Sequence, residues 1–189
     1  LRGTDSSAAL DALDDVGASF LAGTPNTAEV LLSGHSFGTH TVWSVGGGAW
    51  DYDTIAARCA AEEIGDGTGC TPEELEVFAA GVQDTRVVGL LPLAGAPGDS
   101  WFGPDGILAV QHPVFNMTGS QDPRNGQEMW DRTESLDDYS WIDIEGGCHQ
   151  LFGLGTCDEV PSQEGFDIID TYALAFARKT VLGDATGED

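Results

Sequence analysis

The chain has 189 residues, enough for one domain with its own core, and its composition, 41% hydrophobic with 26 glycines, is typical of a globular protein. Its 32 acidic and 7 basic residues give a formal net charge of −25 at pH 7. A field of this sign disfavours nucleic acid, anionic membranes and strongly anionic substrates, because phosphate binding needs clustered Lys and Arg. No apolar run approaches the ~20 residues that span a bilayer, so no transmembrane segment is predicted.

Helices and buried strands alternate along the predicted chain. Apolar residues at three- and four-residue steps predict a helix over 5–21, capped by Asp5 or Ser6, and a last helix over 163–181. Shorter helices are predicted over 39–45, 54–63 and 72–80. Short apolar runs predict strands over 28–33, 86–93, 113–118 and 139–144. This alternation predicts a parallel α/β sheet flanked by helices, in a single domain over residues 1–189.

The pentapeptide Gly34-His35-Ser36-Phe37-Gly38 lies between a predicted strand and a predicted helix. In that context a Gly-x-Ser-x-Gly pattern predicts a nucleophile elbow, a strained turn that projects the serine Oγ above the sheet edge. The two glycines would leave room for the neighbouring strand and helix. The backbone N–H of Phe37 would point at a forming oxyanion. We therefore predict that Ser36 is a nucleophile; an ordinary strand-to-helix turn is the alternative.

A serine hydroxyl is a poor nucleophile without a base, and His149 is the predicted base. It follows the fourth predicted strand on a glycine-rich loop, where such a base belongs. The other histidines lie within the elbow, one helical turn after it, or before a strand: His35, His40 and His112. Asp122 follows the third strand, between Ser36 and His149 in the chain, and is the predicted acceptor of the His149 Nδ1–H bond. The weaker candidates for this acid are Asp99, Asp105 and Asp143.

The four cysteines predict two local disulfides, Cys59–Cys70 and Cys148–Cys157, each closing a loop of about ten residues. Four cysteines allow three connectivities, so this pairing is inferred from proximity in the sequence. Zinc binding is the alternative, but the chain has no Cys-x-x-Cys pair and no compact Cys/His cluster. Disulfides would indicate an exported protein, secreted or periplasmic. No metal and no cofactor are expected.

Five segments carry a resemblance to a known family. They are Arg2-Gly3-Thr4-Asp5, Gly34-His35-Ser36-Phe37-Gly38, Asp84-Thr85-Arg86-Val87-Val88-Gly89, Pro113-Val114-Phe115-Asn116-Met117-Thr118-Gly119-Ser120-Gln121-Asp122 and Gly147-Cys148-His149. With them the chain resembles the α/β hydrolases, in particular secreted hydrolases similar to dienelactone hydrolase and platelet-activating-factor acetylhydrolase. The resemblance covers essentially the whole chain and implies ester hydrolysis through an acyl-enzyme. Dienelactone hydrolases proper use cysteine where this chain has Ser36, which disfavours a lactone-specific activity.

In the family that the chain resembles, further strands precede the helix that is predicted here from about residue 5. The loop that supplies a second oxyanion N–H also precedes that helix. We therefore expect the chain to be the C-terminal portion of an α/β-hydrolase fold. We further expect a separate chain from the same precursor to complete the sheet and the oxyanion hole.

The expected substrate is a small, neutral, moderately apolar ester. His35, Trp101 and Phe102 are predicted to contact it, although each could simply pack. Further aromatic candidates for the pocket wall are Trp43, Trp50 and Trp130. An amidase or peptidase could use the same three groups, and a non-catalytic binding module that kept the fold is the alternative from another class.

Overall fold

A computed structural model of the chain describes residues 2–21, 23–64, 70–96, 98–123 and 126–184. Within these residues four strands form one sheet: β1 (Val30–His35), β2 (Val87–Leu93), β3 (Val114–Gly119) and β4 (Tyr139–Ile144). The α-helices are α1 (Arg2–Phe20), α2 (Gly38–Val45), α3 (Tyr52–Ala60), α4 (Pro72–Ala80), α5 (Asp99–Phe102), α6 (Gly126–Thr133) and α7 (Ser162–Leu182). Short 3₁₀ helices cover Gly106–Ala109 and His149–Gly153.

The four strands are parallel and lie side by side in chain order, β1-β2-β3-β4. The strands end at nearly the same level: His35 is opposite Leu93, Gly119 is opposite Ile144, and Leu93 is opposite Met117, two residues before the end of β3. The carboxyl ends of all four strands therefore meet at one edge of the sheet, which is where open α/β sheets bind ligands. The residues that follow β1, β3 and β4 are brought together at this edge.

Both faces of the sheet are covered, so the central strands β2 and β3 are buried on two sides. Along β2, Leu90 packs into a core cluster with Val42 and Trp43 of α2, whereas the next residue, Leu91, packs into a second cluster. The second cluster is covered by α7, through side chains that include Phe176. This alternation between the faces explains why β2 appears in the sequence as a continuous apolar run rather than an alternating one.

The predicted parallel sheet with flanking helices is confirmed. The helix predicted over 72–80 and the strand over 139–144 have the predicted bounds, and the other predicted elements differ by at most three residues at either end. The capping prediction was wrong, because α1 begins at Arg2 and Asp5 and Ser6 lie inside it. The sequence did not predict α5 and α6. One has only four residues, and the other has a single apolar pair, Met129 and Trp130, so neither produces a clear periodic signal.

Arg86 joins α1 to the start of β2. Its guanidinium donates to both carboxylate oxygens of Asp84, at 2.9 and 2.6 Å, and to Asp11 of α1 at 2.7 Å. Hydrogen bonding to this guanidinium holds the pKa of Asp84 well below its usual range. The segment Asp84–Gly89 noted in the sequence therefore has a structural role, because it fixes α1 against the sheet.

Two disulfides are present in the described residues, Cys59–Cys70 and Cys148–Cys157, with the pairing predicted from proximity. The first joins α3 to Cys70, two residues before α4, and the second brackets the 3₁₀ helix that begins at His149. None of the described helices is both long and apolar enough to cross a membrane.

Candidate active site

Ser36 occupies a sharp turn between β1 and α2. Its φ is 57°, in the left-handed region that non-glycine residues rarely adopt. The turn is held by main-chain bonds: the Ser36 N–H donates to Leu93 O at 3.0 Å, and the Thr39 N–H donates to Ser36 O at 3.0 Å. The Thr39 hydroxyl donates to the same oxygen at 2.8 Å. The surrounding structure thus holds Ser36 in a strained conformation, as a nucleophile elbow requires.

The two glycines of the pentapeptide differ in how they are constrained. A Cβ on Gly34 would lie 2.6 Å from Gly38 O and 2.9 Å from a methyl group of Val42, so a side chain there is excluded. A Cβ on Gly38 would meet no described atom within 4 Å. The expectation that both glycines avoid collisions therefore holds only for Gly34, where strand and helix approach most closely.

The structure brings Ser36, His149 and Asp122 together at the carboxyl edge of the sheet. His149 Nε2 lies 2.8 Å from Ser36 Oγ, and His149 Nδ1 lies 2.7 Å from Asp122 Oδ2. The Asp122 side chain is 1% exposed and the His149 side chain 14% exposed. A carboxylate can only accept, so Nδ1 carries a hydrogen, and Nε2 of neutral His149 can accept the Ser36 hydroxyl proton. The three side chains form one continuous hydrogen-bonded chain.

The turn that carries Asp122 is bonded directly to the loop that carries His149. The Gln121 N–H donates to Gly147 O at 2.8 Å, and the Gly146 N–H donates to Ser120 Oγ at 2.9 Å. A Cβ on Gly119 would lie 2.3 Å from Gly147 O, so these two segments touch backbone to backbone. This coupling was not predicted from the sequence, in which the glycines at 119, 146 and 147 are its only visible signal.

The loop that carries His149 also packs against α7 and is closed by a disulfide. Leu151 is fully buried and Phe152 is 7% exposed, and both pack in the cluster covered by α7. A Cβ on Gly165 of α7 would lie 2.6 Å from a Leu151 methyl group, so helix and loop are in close contact. The Cys148–Cys157 bridge closes the loop on either side. These contacts fix the backbone that presents the imidazole.

The side chain of His35 lies against the loop that carries His149. Its Nε2 lies 2.9 Å from the main-chain oxygen of His149, and the two imidazole rings are 4.6 Å apart between centroids. This half-buried side chain was predicted to contact substrate. The structure places it against the histidine loop, and its contact with substrate stays a prediction.

Phe37 and His40 form a stacked pair beside Ser36. Phe37 precedes α2 directly and is 53% exposed, and its ring centroid lies 4.8 Å from that of His40. Burial, which outweighs a hydrogen bond to the main chain of Phe37, lowers the pKa of His40. His40 is therefore neutral at pH 7, and its uncharged ring packs against the ring of Phe37.

Phe102 and Trp101 differ in burial: Phe102 lies in the core, whereas Trp101 is partly exposed. Phe102 is 1% exposed and stacks on Trp50 at 4.5 Å, inside the core cluster of α2. This placement corrects the prediction that Phe102 contacts substrate, because its ring is enclosed by protein. Trp101 stacks on Phe78 at 5.8 Å, with the Arg58 guanidinium 5.8 Å from its centroid. Trp101 thus belongs to an aromatic group between α4 and α5.

The weaker acid candidates have other partners. Asp99 pairs with Arg132 at 2.7 Å, and the Thr118 hydroxyl donates to Asp143 at 2.6 Å. Asp105 directly precedes the 3₁₀ helix Gly106–Ala109. Among the residues that the structure describes, no group of three or more His, Cys, Asp or Glu side chains is arranged to hold a metal ion.

No family model and no curated protein matches the sequence. Among solved structures, the chain is similar to a butyrate-bound thermophilic esterase from the Planctomycetes species Thermogutta terrifontis, with a TM-score of 0.50 and 13% identity over 92% of this chain and 65% of that one. It is also similar to Est1E from Butyrivibrio proteoclasticus (TM-score 0.42, 12% identity, 85% and 65% covered). A predicted CIB-like hydrolase from Thermoplasma acidophilum is a third match (TM-score 0.42, 13% identity, 86% and 59% covered).

The likeness to the Thermogutta terrifontis esterase and the parallel sheet define the architecture. The chain has the α/β-hydrolase fold. It spans between 59% and 65% of the length of the three structures it was compared with. The expectation that a second chain completes the fold finds no support in the comparisons.

Proposed function

We propose that residues 1–189 form the catalytic domain of a serine hydrolase that cleaves carboxylic esters through an acyl-enzyme on Ser36. One observation carries the proposal: Ser36 Oγ, the His149 imidazole and the Asp122 carboxylate form an unbroken hydrogen-bonded chain, with separations of 2.8 and 2.7 Å. The strained φ of 57° at Ser36 supports it, because strain of this kind is typical of functional positions.

Each group has a defined role in the proposed reaction. His149 Nε2 takes the hydroxyl proton as Ser36 Oγ attacks the ester carbonyl, and it then protonates the leaving alkoxide. Asp122 keeps the Nδ1–H in place and stabilises the imidazolium that forms in between. Water then attacks the acyl-enzyme, again with His149 as the base, which releases the acid and restores the Ser36 hydroxyl.

The oxyanion is assigned to the backbone N–H of Phe37. This group directly follows the nucleophile and lies at the start of α2, where the helix dipole favours negative charge. The expectation that a segment preceding this chain supplies a second donor stays a prediction.

Neutral esters are the substrate class that the chain favours. The formal charge of −25 repels anionic substrates, and the exposed ring of Phe37 offers an apolar contact next to the nucleophile. The esterase from Thermogutta terrifontis was solved with butyrate bound, so short acyl chains are the first to test. The two disulfides support export to an oxidising compartment, secreted or periplasmic.

The test is an intact-mass spectrum of the natively purified protein before and after treatment with a fluorophosphonate. We expect one adduct that maps to Ser36 and is lost in Ser36→Ala. Ser33→Ala is the matched control, because Ser33 lies on β1 three residues earlier and is exposed. An adduct that survives in Ser36→Ala, or no adduct on a folded protein, would contradict the proposal.

The same preparation separates the remaining alternatives. A set of p-nitrophenyl esters and the matching anilides distinguishes an esterase from an amidase, because the two leaving groups differ in how much protonation by His149 they need. We expect turnover of the esters, fastest with short acyl chains. Binding of an ester without turnover would favour the non-catalytic module.

A further inference from the structure

His35 has two contacts with the loop that carries His149. Its Nε2 lies 2.9 Å from His149 O. Because a carbonyl oxygen only accepts, Nε2 must carry the hydrogen and donate it. At the other end of the 3₁₀ helix, a Cβ on Gly153 would lie 3.0 Å from the His35 ring, so the ring packs on the Gly153 backbone.

His35 is the residue directly before Ser36, so its contacts join the elbow to the loop that carries His149. His35 ends β1 and is bonded covalently to Ser36, so the segment that carries the nucleophile also holds the main chain of the base. Apart from the bonds of the His149 ring to Ser36 and Asp122, the other described tethers of the loop lead elsewhere: through Ser120 and Gln121 to the end of β3, and through Leu151 to α7. His35 thus links the loop directly to the elbow.

We propose that His35 is a positioning residue, which sets the distance between Ser36 Oγ and His149 Nε2 by holding the main chain of His149. The inference rests on the proposed function for its kinetic consequence only. A proton shuttle requires the ring nitrogen to stay within hydrogen-bond reach of both Oγ and the leaving group. A displacement of about 1 Å can cost on the order of 10²-fold in rate.

The kinetic test compares two substitutions at position 35 in the natively purified protein. His35→Leu removes the donor, whereas His35→Gln keeps an amide N–H at similar reach. For a p-nitrophenyl ester we expect kcat to fall about 10- to 100-fold in His35→Leu with KM nearly unchanged. His35→Gln should recover most of kcat. Equal values in the two variants, or a loss that appears in KM, would overturn the proposal and favour a substrate contact.

Two further variants guard against a simple folding defect. His112→Leu is the matched control, because His112 precedes β3 at the opposite edge of the sheet, and it should behave as wild type. Gly153→Ala keeps His35 but adds a methyl group 3.0 Å from its ring, so kcat should fall in the same direction by a smaller factor. If His35→Leu does not fold, an unchanged kcat in Gly153→Ala overturns the proposal.

A measurement without substrate separates this inference from the proposed function. In protein labelled with ¹⁵N-histidine, the Nδ1–H of His149, bonded to Asp122, should give a low-field proton resonance. We expect this resonance to shift or broaden in His35→Leu and to return in His35→Gln. An unchanged resonance in His35→Leu overturns the positioning role. A changed resonance in a protein that shows no turnover would retain the positioning role and reject the hydrolase.

Discussion

The carboxyl edge of the sheet and the disulfide-bearing segment between α2 and β2 are held together by different forces. At the sheet edge, Ser36, Asp122 and His149 are placed by directional hydrogen bonds between short turns. In the segment that contains α3 and α4, together with α5, aromatic rings pack together. Trp50 lies 4.5 to 6.3 Å from Phe78, Trp101 and Phe102, and Phe78 lies 5.8 Å from Trp101, from centroid to centroid.

The two regions also differ in how their polar groups are satisfied. Ser120, Gln121 and Gly146 all make hydrogen bonds that couple the acid turn to the histidine loop. In the aromatic region, by contrast, Trp50 Nε1 is buried with no hydrogen-bond partner among the described residues. Directional bonds lose most of their value over a fraction of an ångström, whereas apolar packing depends on area and tolerates small shifts. Mutations at the sheet edge should therefore change activity, and mutations in the aromatic region should change stability.

The largest effect is expected from His149→Ala. Loss of the base should lower kcat about 10⁶-fold, and Asp122→Asn should lower it about 10⁴-fold because the wrong tautomer is favoured. Both losses should appear in steady-state ester hydrolysis while the unfolding midpoint changes little. A loss of activity that is matched by a loss of folded protein would remove the distinction between the two regions.

The converse substitution is Phe102→Ala, in the aromatic region. Removing a ring that is 1% exposed should lower the free energy of unfolding by about 3–5 kcal/mol. The kcat of the protein that remains folded should change little, which urea titration and ester hydrolysis measured together would show. Trp101→Ala is the control, since this ring is only partly buried and its loss should cost less. A selective loss of kcat in Phe102→Ala would revive its assignment as a substrate contact.

The two disulfides offer a matched pair, because they close loops of similar length, 11 and 9 residues. Loop-closure entropy predicts that replacing either pair by serines lowers the free energy of unfolding by roughly 2.5–3 kcal/mol. Only the Cys148–Cys157 replacement should also lower kcat, by about tenfold or more, because this bridge closes the loop that carries His149. Equal effects of both replacements on kcat would show that the distinction is wrong.

The sheet and the residues that follow its strands could be predicted from the sequence, whereas the aromatic contacts could not. The central strands β2 and β3 are buried on both faces, and β2 is accordingly a continuous apolar run. The order of Ser36, Asp122 and His149 after β1, β3 and β4 follows from the parallel arrangement. The geometry that brings these three residues together could therefore be anticipated without any contact being known.

Side-chain directions outside regular elements could not be predicted. Trp101 and Phe102 are adjacent in a four-residue helix, too short for a periodic pattern to indicate which ring is buried. His35 ends a strand, and nothing in the sequence shows that its ring reaches the His149 main chain 114 residues further along. Such contacts depend on loops whose paths tertiary packing decides.

His40 lies where the two regions meet, and it leads to the smallest predicted effect. Its ring stacks on Phe37 of the elbow at 4.8 Å and lies 6.1 Å from Phe102 of the aromatic group. Burial lowers the pKa of His40 in the folded state below its ordinary value of 6.5. The unfolded chain therefore binds an extra proton as the pH falls below that value, and stability decreases with acidification.

One extra proton limits this loss to about 1.4 kcal/mol per pH unit. Urea titrations between about pH 7.5 and 5.5, the range in which histidine charges, should show it as a falling free energy of unfolding. In His40→Gln the slope should be smaller, because no buried imidazole remains there to resist protonation. If the slope is the same in both proteins, His40 is protonated as readily in the folded protein as in the unfolded chain. The inference that a neutral His40 packs against Phe37 would then be wrong.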